Sequence, residues 1–175
     1  MRYPLRSAAL AGVLVLLAAA AAAPAFAQFS LFGIFGGGKH FTAETVSIDA
    51  AAAARAVSDF RKQNGLPPVT VNAAMMAIAA TQAKAMAEAG TMSHDVGGSF
   101  EGRLRAGHYD DAVAVENIAA GQKTFDAAFL AWQKSPGHRA NMLSPTVTQF
   151  GIAAYRSAES PNGIYWSLNL AASHR

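Results

Sequence analysis

The sequence predicts a layered α/β domain, with helices through the first two thirds of the chain and antiparallel strands in the last third. Three observations carry this expectation. Apolar residues recur at three- and four-residue steps in several stretches between residues 44 and 133. The spacing then changes to alternate positions in QFGIAAYRS and GIYWSLNLAAS. Strands and helices do not alternate as βαβ units, and there is no internal repeat, so a doubly wound sheet is not expected. A chain of 175 residues suffices for one domain with its own core.

The chain opens on MRYPLR, then the apolar run SAALAGVLVLLAAAAAAP, then Ala25-Phe26-Ala27. Basic residues, an apolar stretch and small residues where a signal peptidase reads predict a signal peptide over residues 1–27, cleaved before Gln28. The alanine richness and the cleavage site argue against a retained anchor. No later apolar run approaches the length of a membrane span, so no stable transmembrane segment is expected after cleavage. With no cysteine, disulfides and lipoprotein attachment are closed. A secreted or periplasmic protein is the expected product. Loss of Arg2 and Arg6 lowers the formal charge from +3 to +1. The remaining Lys and Arg are scattered without interleaved aromatics, which excludes nucleic acid as the expected partner. FSLFGIFGGGKH, with its three glycines, predicts a leader over residues 28–42, whose apolar side chains could serve domain or membrane contact. The domain proper is expected over residues 43–175.

From Glu44 to Asn64, Val46, Ala50, Ala53, Val57 and Phe60 fall on one helical face. Gly65 stops this helix, and Leu66-Pro67-Pro68 predicts an extended connector because a residue before proline is held out of the helical region. Asn72 can cap a second helix, AAMMAIAATQAKAMAEA, with Met76, Ala79, Ala80, Ala83 and Ala87 inward and Gly90 at its end. Burial by alanine contributes little area but permits close approach to a neighbour. Ser99 can cap a short helix, FEGRLRAG, with Phe100 and Leu104 on one face. Phe125, Ala128, Phe129 and Trp132 predict a helix over Thr124–Gln133; Pro136 and Gly137 break it, and HRANML adds a further helical turn. Phe150, Ile152 and Ala154, and then Trp166, Leu168 and Leu170, predict a hairpin turning at Pro161-Asn162-Gly163. VAVENIAA, residues 113–120, supplies a third strand, since two strands alone bury too little to persist.

Of five histidines, His94, His108 and His138 are candidate site members; His40 and His174 lie near the ends. Glu116 and Asp95 are the carboxylates of interest. There is no HExxH or CxxC motif. A metal site would have to be assembled from separate segments, such as His94, Glu116 and His138, a sound ligand set for zinc. The same groups without metal could move a proton or bind a polar ligand. Structural roles compete with both: His138 bonding a backbone carbonyl, Glu116 paired with Arg103 or Arg105, Asn117 and Asn141 satisfying loop backbone. Ser93 adjoins His94 too closely in sequence to face it, and Ser135 near His138 lacks a GxSxG elbow, so no serine nucleophile is identified.

Taken in order, ARAVSDFRKQNGLPPVTVNAAM, MSHD, GHYDDAVAVENIAAG, WQKSPGHRANMLSPTVTQFGIAAY and GIYWSLNLA resemble the CAP superfamily of cysteine-rich secretory, antigen 5 and pathogenesis-related 1 proteins, also called the SCP domain. The likeness is to its bacterial secreted branch and runs from roughly Ala43 to Ala171. The resemblance implies an α-β-α sandwich with a central antiparallel sheet flanked by helices. It implies a cleft formed by His94, Glu116 and His138, with Trp132 locking its helix into the core and Asn117 and Asn141 as structural support. Ser135 stands where family members often carry a second glutamate, and Val115 where glycine commonly precedes the Glu-Asn pair. Three candidate ligands for zinc or another divalent cation remain, His94, Glu116 and His138.

Fold and activity separate readily. The leading expectation is an exported binding or interaction module of the cell envelope or extracellular space, whose partner is a lipid, a cell-wall glycan or an envelope protein. A metal-assisted hydrolase acting on peptide or another exported polymer is the alternative, and envelope maintenance without a small ligand is a third.

Overall fold

The structure, a computed structural model, describes residues 40–109 and 113–173. The expected signal peptide, its cleavage site, nearly all of the leader and His174 lie outside the described residues.

Among the described residues ten elements follow in order: β1 (Glu44–Thr45), α1 (Ala50–Gln63), β2 (Thr70–Val71), α2 (Ala73–Ala89), α3 (Phe100–Ala106), β3 (Ala114–Ala120), α4 (Phe125–Lys134), α5 (Pro136–Met142), β4 (Gln149–Arg156) and β5 (Ile164–Ala171). The sheet runs β1-β4-β5-β3, with β2 also against β4. All pairings are antiparallel except β2 with β4. One face carries Ala119, Phe150, Ile152, Trp166, Leu168 and Leu170 against α1, α4 and α5. The other lies under α2 and α3, where Met75, Ile78 and Leu104 pack with Ala171, and Met86 and Ala87 with Ile118 and Tyr165. This is an α-β-α sandwich, and β5 is buried along its whole length because both faces are covered.

The first helix begins later than its apolar spacing suggests. Asp49 caps it through Ala52 N at 2.9 Å, and the residues before it are extended, with Val46 N donating to Ala154 O at 2.9 Å. Phe41 already belongs to this body: its N–H donates to Glu88 O at 2.7 Å and its ring closes over Gly90. The second helix starts and stops as its capping residues dictate: Asn72 accepts from Met75 N at 3.0 Å and Gly90 takes the left-handed conformation at φ 64°. Its buried side, however, is Met75, Ile78, Ala79, Gln82, Ala83, Met86 and Ala87, whereas Met76 and Ala80 are only partly buried. Alanine surrounds this helix, so its spacing defines no single apolar stripe.

What alanine does permit is proximity. A Cβ built on Gly151 would fall inside the van der Waals envelope of the Met75 carbonyl group, so α2 rests on β4 backbone to backbone. Gly107 approaches Ile78 almost as closely, with Cδ1 2.7 Å from the position a Cβ would take. On the opposite face Arg61 staples α1 to the chain leaving α5. Its Nε donates to Pro67 O at 2.9 Å, its Nη1 to Met142 O at 2.7 Å and Ser144 O at 2.9 Å, and its Nη2 to Val147 O at 2.9 Å. Burial lowers the pKa of this guanidinium by desolvation.

Candidate functional site

Strand β3 forms one outer edge of the sheet, and its unpaired carbonyls are met by side chains of the WQKSPGHRANM segment. Trp132 Nε1 donates to Ile118 O at 3.0 Å, and Asn141 Nδ2 donates to Glu116 O at 3.2 Å. Two residues apart on one strand, these carbonyls point the same way, and their occupation closes an edge that would otherwise invite another strand. Asn117, on the face between them, donates from Nδ2 to His138 O at 3.0 Å and accepts from Asn141 Nδ2 at 2.9 Å. Ser135 is extended, as a residue before proline should be, and ends α4 while starting α5 with Pro136 in its first turn. The kink and the two asparagines thus fix the backbone of His138 against the β3 edge that carries Glu116. Ser135 makes no capping bond through its hydroxyl.

The Glu116 side chain points to the α2–α3 side of the sheet and is 2 % exposed. Arg103 Nη2 lies astride the carboxylate, 2.9 Å from Oε1 and 2.8 Å from Oε2. His94 Nδ1 lies 2.8 Å from Oε1, while the His94 side chain is 51 % exposed. His94 comes from the α2–α3 loop, which two buried polar side chains grip. Gln82 of α2 donates to Ser93 O, and Arg103 Nη1 donates to His94 O at 3.0 Å and to Gly98 O. Ser99 positions Arg103 by capping α3 through Gly102 N at 3.1 Å. A buried carboxylate of this kind needs its charge partner: removing one member of such a pair costs about 3–5 kcal/mol.

The pKa of His138 is lowered, first by burial and then by the charge of His94, so the two rings lie within electrostatic reach of each other. The structure therefore joins His94 directly to Glu116 and sets His138 across from them. It joins neither His108 nor Asp95 to Glu116. His108 is exposed at φ 60°, and Asp95 is exposed with no ion pair among the described residues. Of the two arginines weighed as partners of Glu116, Arg103 is the one it has. Among the described residues no group of three or more His, Cys, Asp or Glu side chains is arranged to hold a metal ion. Gln82 had no signal in the sequence, since a glutamine within an alanine-rich helix reads as a surface residue.

A cavity of ≈ 510 Å³ lies between α2 and α3, walled by Ala74, Ala77, Ile78 and Gly102 and reaching Arg103 and His108. That volume falls in the range of small-molecule sites. Arg103 belongs to both places: it lines the groove, and its guanidinium holds Glu116 and the His94 loop. Among the described residues no helix is long and apolar enough to cross a membrane.

Comparison with known proteins places this arrangement. The chain is 30% identical over 100 residues to the uncharacterized protein YkwD of Bacillus subtilis, a match spanning 55% of this chain and 38% of that one. An extracellular protein containing a SCP domain from Bacillus anthracis superposes with a TM-score of 0.61 at 25% identity, covering 71% of this chain and 40% of the other. An outer surface protein of Borrelia burgdorferi superposes with a TM-score of 0.66 at 14% identity, covering 76% of this chain and all of the other, a likeness of fold alone. The chain thus spans well under half the length of YkwD and of the Bacillus anthracis protein. The Bacillus anthracis protein is described as extracellular, which agrees with the secreted or periplasmic location expected from the amino-terminal segment. The model of the cysteine-rich secretory protein family matches residues 54–170, which include His94, Glu116 and His138. The chain belongs to that family, the CAP family.

Proposed function

We propose that the protein is a secreted or periplasmic interaction module of the cell envelope, and that it recognises its partner at the His94–Glu116–His138 cleft and the adjoining α2–α3 groove. The observation that carries this reading is the state of Glu116. Both of its oxygens are held by Arg103 and one also by His94, so the carboxylate is spent as an internal counter-charge and is not free to serve as a base. No serine hydroxyl is hydrogen-bonded to a histidine among the described residues. A lipid is the favoured ligand class because the groove is walled by alanine, isoleucine and glycine; a wall glycan or an envelope protein would engage the polar cleft instead.

A divalent cation fits this cleft less well than the residue types alone suggest. With Glu116 engaged, the nitrogens left for a cation are His94 Nε2 and those of the His138 ring. Two protein ligands fall short of the three usual at catalytic zinc. The metal-assisted hydrolase remains the alternative, and its chemistry would be polarisation of a scissile carbonyl or bound water.

The test is a pair of measurements on protein purified after export. Native mass spectrometry of protein incubated with envelope lipid extract is expected to show a retained lipid, lost when Ala77→Trp fills the groove. Zinc titration of the wild-type, H94A and H138A forms is expected to give equally weak binding in all three. Tight zinc binding lost in both variants, with metal-dependent turnover of a peptide or wall polymer, would replace this reading with the hydrolase. Neither lipid nor metal retained, but a defined protein recovered by cross-linking in the periplasm, would favour envelope maintenance.

A further inference from the structure

We propose that Arg103 is the positioning residue of the cleft: by holding Glu116 as an ionised, acceptor-only group it makes neutral His94 carry its proton on Nδ1 and present the Nε2 lone pair outward. The inference deepens the cleft reading above and rests on it for its functional meaning, but its geometry stands alone.

Arg103 and the Asn169 amide present donors to the carboxylate, and the Ser167 hydroxyl is placed to add another. Arg103 Nη2 meets both oxygens, Ser167 Oγ lies 3.4 Å from Oε2, and the Asn169 amide is satisfied with its nitrogen 3.3 Å from Oε2 and its oxygen 3.1 Å from Ala79 N. The guanidinium, which can only donate, sits on both oxygens, and that favours the ionised carboxylate. An ionised carboxylate only accepts, so His94 Nδ1, 2.8 Å from Oε1, is the donor, and a neutral ring then has its lone pair on Nε2. This resembles the carboxylate–histidine pairs that fix ring orientation at ligand sites. Arg103 fixes the backbone as well: Nη1 spans His94 O and Gly98 O, so one planar guanidinium sets both the main chain and the ring partner of His94. Lysine, a single ammonium on a flexible stem, could supply the charge but not span these acceptors.

The test is two-bond ¹⁵N–¹H correlation spectroscopy of the histidine rings in the full exported chain, above the pH at which imidazoles titrate. In wild-type protein His94 is expected as Nδ1–H over Nε2–H by roughly tenfold or more, as a charge-assisted bond to a buried carboxylate implies. In Glu116→Gln, the amide oxygen should turn to Arg103 and the amide nitrogen to His94, so Nδ1 becomes the acceptor and the tautomer inverts. In Arg103→Lys the Nδ1–H form should persist while the amides of residues 94–98 exchange faster. In Arg103→Met the preference should fall towards that of a free imidazole. His138 and the thermal unfolding midpoint report whether each variant is folded, and Glu116→Gln keeps the question answerable if Arg103→Met does not fold. An Nε2–H ring in wild-type protein, or an unchanged tautomer in folded Glu116→Gln, would overturn the proposal. Because no ligand is used, failure here is distinct from failure of the lipid and zinc experiments.

Discussion

The indole nitrogen of Trp132 donates to the main-chain carbonyl of Ile118 at 3.0 Å, so one fully buried side chain of α4 both fills the core and seals the outer edge of the sheet. Trp132→Phe keeps much of the volume and removes the donor. It should destabilise the fold by about 1–3 kcal/mol, the cost of an orphaned buried carbonyl. Trp132→Ala should cost about 3–5 kcal/mol, since it also opens a cavity. Denaturant midpoints at unchanged slope check both values.

Close contact between α2 and β4 depends on the missing side chain at Gly151. A methyl group there meets backbone atoms of Met75 and Met76, which cannot rotate away as a side chain would. Gly151→Ala should therefore cost about 3 kcal/mol or more, at or above the upper end of ordinary overpacking. Differential scanning calorimetry should show a fall of at least several degrees in the midpoint.

Arg61 is a buried cation whose donors go to backbone carbonyls of Pro67, Met142, Ser144 and Val147. Arg61→Met leaves those acceptors without their donors and should lose about 3–5 kcal/mol. Arg61→Lys restores part of the bonding and should fall between the two in chemical denaturation. Loss of order at residues 142–147, read by hydrogen exchange, should accompany the methionine variant.

His138 supplies the pH dependence. Its folded pKa is lowered by burial and by His94, so the unfolded chain takes up the proton first as pH falls. Its contribution is intact above the ordinary histidine pKa of about 6.5 and is lost progressively on acidification, levelling off below the folded value. Thermal midpoints measured from neutral to mildly acidic pH should fall less in His138→Asn than in wild-type protein. In His94→Ala the His138 titration followed by NMR should move upward, because one of its two depressing causes is gone.

The fold was legible where local chemistry marks a boundary: Asn72 and Ser99 cap their helices, and Gly90 ends one in the left-handed conformation. The hairpin was legible because alternate large apolar residues face α1, α4 and α5. Strands β1 and β2, two residues each, are too short to show a period and exist only because β4 offers them an edge. On the inward side of α2, Ala79, Ala83 and Ala87 are buried as expected, but Met75, Ile78, Gln82 and Met86 complete that side in place of Met76 and Ala80, because alanine gives the helix no clear direction. In the cleft, His94, Glu116 and His138 could be named from their motifs. Arg103 was visible only as one of two possible charge partners, since holding Glu116 and the His94 loop at once is a tertiary arrangement.

The central claim is that Glu116 serves Arg103 and His94 from behind the cleft instead of reaching into it. A crystal structure of the exported protein grown with excess zinc tests this most directly. The account predicts Arg103 Nη2 still astride both Glu116 oxygens, His94 Nδ1 still on Oε1, and any bound zinc on imidazole nitrogens alone. Glu116 swung away from Arg103 with an oxygen about 2.0–2.2 Å from zinc would contradict it.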